Sequence, residues 1–297
     1  MDDAALVCPE GATHALVLTL DVITPIVDDA YTFGSIAAAN ALSDVYAMGG
    51  EPQVALSFVG LPDILGTDVL EAVMRGAAEK CHEAGCAIVG GHTLRDTEPK
   101  CGLAVIGTVE RERAWTQRRG CAGQVLVLSK AIGTGTVAQA LRAGAADAAA
   151  VVAATQSMQM LNRNACAAGR RHGVTAATDV TGFGLLGHTH HLAAASGVAV
   201  RLRTADVPLL PGALETATAG FLPGGSKRNQ RYVAAHLRGA DRVDPVILSL
   251  LSDAQTSGGL LLVLSDSAAQ ALVVELGASA AIVGELVAGD AGTIELV

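Results

Sequence analysis

Ala177-Thr178-Asp179-Val180-Thr181-Gly182-Phe183-Gly184-Leu185-Leu186-Gly187-His188 sets an acid at the end of an apolar strand, beside a glycine turn that opens a helix. Such a junction offers backbone N–H groups and a helix N-terminus to a phosphorylated ligand. Gly182, Gly184 and Gly187 also satisfy the dinucleotide pattern G-x-G-x-x-G, with Asp206 about 20 residues further on, as that pattern asks. Asp179 decides against a dinucleotide. At that point in a dinucleotide fold the strand runs into the pyrophosphate turn, and a carboxylate would repel the ligand unless a cation stood between them. Asp179 therefore reads as a metal-phosphate acid in an α/β protein.

Working outward, the N-terminal part interleaves strand-length apolar runs with helical periodicity. Strands are expected at His14–Leu20, Gln53–Val59, Ala87–Val89 and Gly102–Val109, and helices at Gly34–Met48 and Asp68–Ala84. The charged run Glu110-Arg111-Glu112-Arg113 through Gly120 reads as a connection, dividing the chain into domains 1–110 and 111–297. The second part resumes with strand Gln124–Ser129 and helix Gly135–Arg142. A long Ala-rich helix over Ala148–Arg170, strand Val174–Thr178, helix Gly184–Ala195 and strand Val198–Leu202 follow. A loop-rich region holds Pro208, Pro211 and Pro223-Gly224-Gly225, before strand Leu260–Leu264, helix Ser267–Leu276 and strand Ala280–Leu286.

The 297 residues are 51% hydrophobic but only 3% aromatic, with 34 glycines, a composition suited to an α/β enzyme core of Ala, Val, Leu and Ile. A formal net charge of −9 argues against a basic nucleic-acid surface, so a polyanionic substrate would require metal ions. Cys8, Cys81, Cys86, Cys101, Cys121 and Cys166 lack C-x-x-C pairs or framework spacing and read as buried free thiols in a reducing compartment. Apolar runs fall short of the roughly 20 residues that span a bilayer, and Met1-Asp2-Asp3 opens no signal region, so a cytoplasmic protein without membrane contact is expected.

Other candidate groups lie at strand ends and on one helix face. Asp21 follows Leu16–Leu20 and is expected at the strand's carboxyl end, where open α/β sheets bind ligands; a turn cap is the alternative. Asn40 and Asp44, four apart with Ser43 alongside, share a helix face, where they either hydrogen-bond a loop or face a polar ligand. Gly90-Gly91-His92-Thr93 reads as a glycine turn after a buried strand, able to cradle an anion. Gly133-Thr134-Gly135-Thr136-Val137-Ala138 fits G-x-G-x-x-A without the required acid, and Lys227 lacks Walker spacing. His188 and His191 lie three apart on a helix with no further ligand spaced to join them, and read as ordinary helix residues.

Six motifs in order resemble selenophosphate synthetase, the selenide, water dikinase family: Asp21-Val22-Ile23-Thr24-Pro25-Ile26-Val27-Asp28, Ile36–Gly50, Gly90–Thr93 with Glu98-Pro99-Lys100, Thr178–His188, Gly224–Asn229, and Asp253-Ala254-Gln255-Thr256-Ser257-Gly258-Gly259. The resemblance implies the two-domain fold of aminoimidazole ribonucleotide synthetase, its N-terminal α/β domain completing a barrel with a second copy in a homodimer, and a C-terminal α/β domain. It implies conversion of ATP, selenide and water to selenophosphate, AMP and orthophosphate. By the same resemblance Asp3, Asp44 and Asp179 are magnesium acids, Asp21, Asn40 and Asp44 contact ATP, and Gly91-His92-Thr93 form a nucleotide-binding turn shared across the dimer. Several Mg2+ ions, a K+ ion and a selenium-delivery protein complete the implied set. The family's catalytic Cys or selenocysteine and Lys stand ahead of the aspartate pair, upstream of Met1, so no catalytic residue is assigned, and the natural protein is expected to begin upstream. A catalytically silent ATP-binding subunit is the alternative.

Overall fold

In the computed structural model, which describes residues 2–297, β1 (Ala5–Val7) and β2 (His14–Ile23) form an antiparallel pair, Ala5 opposite Leu18. They belong to a unit made of Asp3–Ala114 and Met158–Arg163. Helix α1 (Ala30–Ala47) follows, then β3 (Glu51–Leu61), α2 (Gly66–Glu83), β4 (Ala87–Arg95) and β5 (Lys100–Glu110). The sheet order is β1-β2-β5-β3-β4, with only the β3–β4 pair parallel. Period-two alternation turns Ala15, Val17, Ala55, Val59, Leu103 and Val105 to one face, where they are buried under α1 and α2. The opposite face carries Leu20, Val22, Leu56 and Val89, all exposed in the single chain.

Asp29 caps α1, its Oδ2 accepting from the Thr32 N–H at 2.8 Å. The helix consequently begins four residues before the apolar pattern that predicted it. Its backbone touches that of α2, since a Cβ on Gly34 would lie 1.9 Å from the Val73 carbonyl oxygen and one on Gly76 2.0 Å from that of Tyr31.

The other unit takes Asp2, Trp115–Ser157 and Asn164–Val297. Its elements are β6 (Val125–Leu128), α3 (Thr134–Arg142), α4 (Ala148–Gln159), α5 (Arg163–Arg171), β7 (Ala176–Asp179), α6 (Gly184–Ser196), β8 (Ala199–Leu202), α7 (Ala213–Thr218), α8 (Gly224–Val233), β9 (Leu237–Arg238), α9 (Pro245–Leu251), β10 (Leu260–Leu264), α10 (Asp266–Leu276), β11 (Ala281–Val287) and β12 (Ile294–Leu296). The sheet order is β7-β10-β6-β11-β8-β12-β9. Every pair is antiparallel except those of β12 with β8 and β9. Leu126, Leu128, Leu185, Leu202, Leu261 and Val263 sit in its core, each buried Leu contributing about 1.5–3 kcal/mol relative to exposure. Because β7 runs antiparallel to β10, Gly182-Phe183-Gly184 does not sit in the parallel βαβ unit that a dinucleotide fold requires.

Several expectations are corrected. The Ala-rich run is two helices, interrupted at Met160-Leu161-Asn162, because Asn162 is buried and its Nδ2 donates to Ser43 Oγ at 2.9 Å. A long-range hydrogen-bonded anchor thus overrides the propensity of Ala. The region after Pro208 holds α7, α8 and α9 rather than loop, α9 capped by Asp244 with Pro245 at its first position. Lys227 and Arg228 lie on α8. All six cysteines are free, but Cys8 and Cys121 are exposed. No helix among the described residues is long and apolar enough to cross a membrane.

Candidate functional site

In the first unit, Thr19 and Asp21 continue the inward parity of Ala15 and Val17 and so face α1. Asn40 Nδ2 donates to Asp21 Oδ2 at 2.7 Å, and Thr19 Oγ1 donates to Asp44 Oδ2 at 2.5 Å. The match is geometric. Two strand residues span about 6.6 Å and four helical residues about 6 Å, so the pairs form consecutive rungs between β2 and α1. Asp21 is not at the strand's end, since β2 runs two residues beyond it. Burial pushes the Asp21 carboxyl up, and the Asn40 hydrogen bond offsets this only in part. Asp3 lies in a bend two residues ahead of β1 and is half-buried. Sequence reading missed Thr19, whose only signal was its parity with Asp21.

Gly90-Gly91-His92-Thr93 is no turn. These residues lie inside edge strand β4, beyond a bulge at Val89 where Ile88 pairs with Ala55 and Gly90 with Leu56. Gly91 is required by strand contact, because a Cβ there would lie 2.2 Å from the Ser57 carbonyl oxygen. Gly91, His92 and Thr93 are exposed. Within one chain β4 stands three strand spacings from β2, about 14 Å, so these residues are not brought to the Asp21–Asn40–Asp44 group.

In the second unit Asp179 closes β7, opposite Leu260, and is 2% exposed. His188 reaches back from α6 and fixes the turn that follows. Its Nε2 accepts from the Thr181 N–H at 3.1 Å, and its Nδ1 pairs with Thr178 Oγ1 at 3.4 Å. Desolvation, with a smaller contribution from His191, pushes its pKa down to about 3, so the ring stays neutral. An Asp179 oxygen and a His188 ring nitrogen lie within 4.8 Å. With its lone pair engaged by Thr181, His188 organises the turn and is not free to ligate.

The last motif has a structural job that the sequence did not disclose. Asp253 Oδ2 accepts from the N–H groups of Gly135 (3.0 Å) and Thr136 (3.2 Å), and Oδ1 from Ser226 Oγ (2.8 Å). Gln255 Oε1 accepts from the N–H groups of Gly133 (2.9 Å) and Thr134 (3.1 Å). The unpaired donors at the start of α3 are thereby satisfied internally, and the glycine pattern at 133–138 is filled by a carboxylate and an amide rather than by phosphate. Desolvation pushes Asp253 up to about 6 despite these donors.

Residues 1–109 match the family described as AIR synthase related protein, N-terminal domain, and residues 122–297 its C-terminal domain. The chain is therefore a two-domain α/β protein of the AIR synthase type. Thiamine monophosphate kinase from Aquifex aeolicus shares the fold at a TM-score of 0.74 and 18% identity, over 99% of this chain and 90% of that one. A selenide, water dikinase of Pelobacter propionicus is 43% identical over 278 residues, covering 92% of this chain and 80% of its own. Another, of Paraburkholderia xenovorans, is 42% identical over all of this chain and 84% of its own. The chain belongs to the selenide, water dikinase family.

Proposed function

We propose that this chain converts selenide, ATP and water to selenophosphate, AMP and orthophosphate. The carrying observation is the pair of rungs Asp21–Asn40 and Thr19–Asp44, set in a chain 43% identical to a selenide, water dikinase. A carboxylate and a phosphate about 4 Å apart repel by about 4 kcal/mol at an effective dielectric near 20, so acids at a triphosphate require cations. Carboxylate oxygens are hard donors that fit magnesium, and Asp179, buried at the end of β7, is not placed to be solvated freely. Asp3, Asp44 and Asp179 would hold these ions, which when bound neutralise charge on the transferring phosphoryl group. Thr19 orients Asp44, and Asn40 holds Asp21, each fixed before ligand arrives.

The functional division proposed is 1–110 for ATP binding and dimerisation and 111–297 for the C-terminal domain. The exposed apolar face with Leu20, Val22, Leu56 and Val89 supports a homodimer, in which the partner's edge strand would bring Gly91-His92-Thr93 to the nucleotide. Phosphorus NMR of ATP with the protein in anaerobic magnesium buffer, with and without selenide and in K+ or Na+, tests the reading. Selenophosphate, AMP and orthophosphate should appear together only with selenide. Bound but persistent ATP would put a nucleotide-binding subunit in the enzyme's place, and absence of binding would overturn the site.

A further inference from the structure

Among the described residues Ser257 is the one non-glycine with positive φ, at 50°. It is buried, and a left-handed serine is strained, so its neighbours must hold it there. Its carbonyl oxygen accepts from Lys130 Nζ at 3.0 Å. The same ammonium donates to the Ser157 carbonyl at 3.2 Å, in the last turn of α4, where carbonyls are left over and a cation is favoured. Lys130 is only 3% exposed. A buried ammonium is costly to desolvate, so its retention asks for a role that a neutral side chain could not fill.

What the clamp holds is the wedge beside Asp179. A Cβ on Gly258 would lie 2.0 Å from the Val180 carbonyl oxygen, and one on Gly259 would lie 2.5 Å from the Lys130 backbone nitrogen. The segment is thus pressed between the ends of β6 and β7 with no spare room. Val180 N–H donates to the Gly259 carbonyl at 2.8 Å, Ser129 N–H to that of Leu260 at 3.0 Å, and Leu260 N–H to Ser129 Oγ at 2.8 Å. Asp179 is the residue paired with Leu260, directly beside these contacts. Displacing Ser257 would therefore displace the backbone that carries the Asp179 carboxylate.

We infer that Lys130 is a positioning residue for Asp179: its ammonium holds Ser257 in the left-handed conformation, and the Gly258-Gly259 wedge behind it fixes the end of β7. The inference rests on the reading of Asp179 as a magnesium acid. It differs from simple core stabilisation in being local and in passing through one backbone torsion.

The test compares the full chain with Lys130→Met, with Lys130→Met/Ser257→Gly and with Asp179→Asn, by two readouts. Hydrogen exchange of the metal-free proteins, followed by mass spectrometry, should show faster exchange in Lys130→Met confined to peptides covering 179–182 and 257–260. Manganese titration followed by electron paramagnetic resonance should show affinity weakened about 10-fold, the size expected when the support of a ligand is removed. Adding Ser257→Gly should restore much of both, because glycine adopts the left-handed conformation without the clamp. Unchanged exchange at 179–182, acceleration spread evenly over the whole C-terminal sheet, or no restoration by Ser257→Gly would each overturn the clamp. Should Asp179→Asn leave manganese affinity unchanged, the magnesium role of Asp179 falls, while the exchange data on metal-free protein still decide whether Lys130 holds β7.

Discussion

Asp21 shows how one neutral partner sets the behaviour of a half-buried acid. Desolvation raises its pKa in the folded chain and Asn40 lowers it part of the way back. A carboxyl raised on folding contributes stability that is complete below its unfolded value, about 3.9, and lost as pH rises through the folded value. Replacing Asn40 by Leu removes the hydrogen bond that favours the charged form and raises the folded value further. The variant should therefore be more destabilised at pH 7 than at pH 4, by about 1.5–3 kcal/mol, the range of a hydrogen bond to a charged group. Urea unfolding at the two pH values measures this; an equal loss at both would mean that Asn40 supports the helix and not the carboxylate.

Elements were legible where local pattern and burial agreed. His14–Leu20 is an apolar run of strand length, and the sheet extends it to Ile23, which is why Asp21 was expected at a strand end but lies inside one. Asn40 and Asp44 were placed on one face by helical spacing alone, whereas their partners on β2 came from a tertiary match of repeats that sequence does not encode locally. The glycines at 90 and 91 resembled a turn because glycine is ambiguous between turning and close packing, and only the Ser57 carbonyl discriminates. Likewise Asp253 and Gln255 cap a helix that starts about 120 residues earlier, beyond the reach of any capping pattern. Asp253→Ala would leave the N–H groups of Gly135 and Thr136, the Ser226 hydroxyl and the Gln255 amide without this acceptor. A loss of about 2–4 kcal/mol is expected, with faster exchange of the Gly135 and Thr136 amides. A change in stability under about 0.5 kcal/mol would show that water replaces the carboxylate.

At the scale of the whole molecule, the two candidate nucleotide elements of the first unit stand at different places in one sheet, Asp21 on β2 and Gly91-His92-Thr93 on edge strand β4. A homodimer reconciles them if each site takes β2 and α1 from one copy and β4 from the other. Leu20 and Leu56, 64% and 46% exposed, lie on the face that a second copy would cover. The double variant Leu20→Glu/Leu56→Glu would bury like charges at that face and should sediment as a monomer in analytical ultracentrifugation, where the wild type is expected to sediment as a dimer.

The shared arrangement makes a sharper demand, because it predicts complementation between two inactive proteins. Asp44→Asn removes an acid from the β2–α1 side of both sites in a homodimer, and His92→Ala alters the β4 side of both. In a mixed dimer of the two, one site receives both substitutions and the other receives neither. Random reassortment of equal amounts puts about half of all copies in mixed dimers, each with one intact site of two, so activity should return to about a quarter of wild type. If each site were built from a single copy, no mixture could contain an intact one, and activity would stay at the level of the parents. Selenide-dependent AMP formation, measured before and after unfolding and refolding the variants together, separates the two architectures. A recovery near a quarter would locate His92 across the dimer from Asp44, and no recovery would confine the nucleotide to β2 and α1 of one chain.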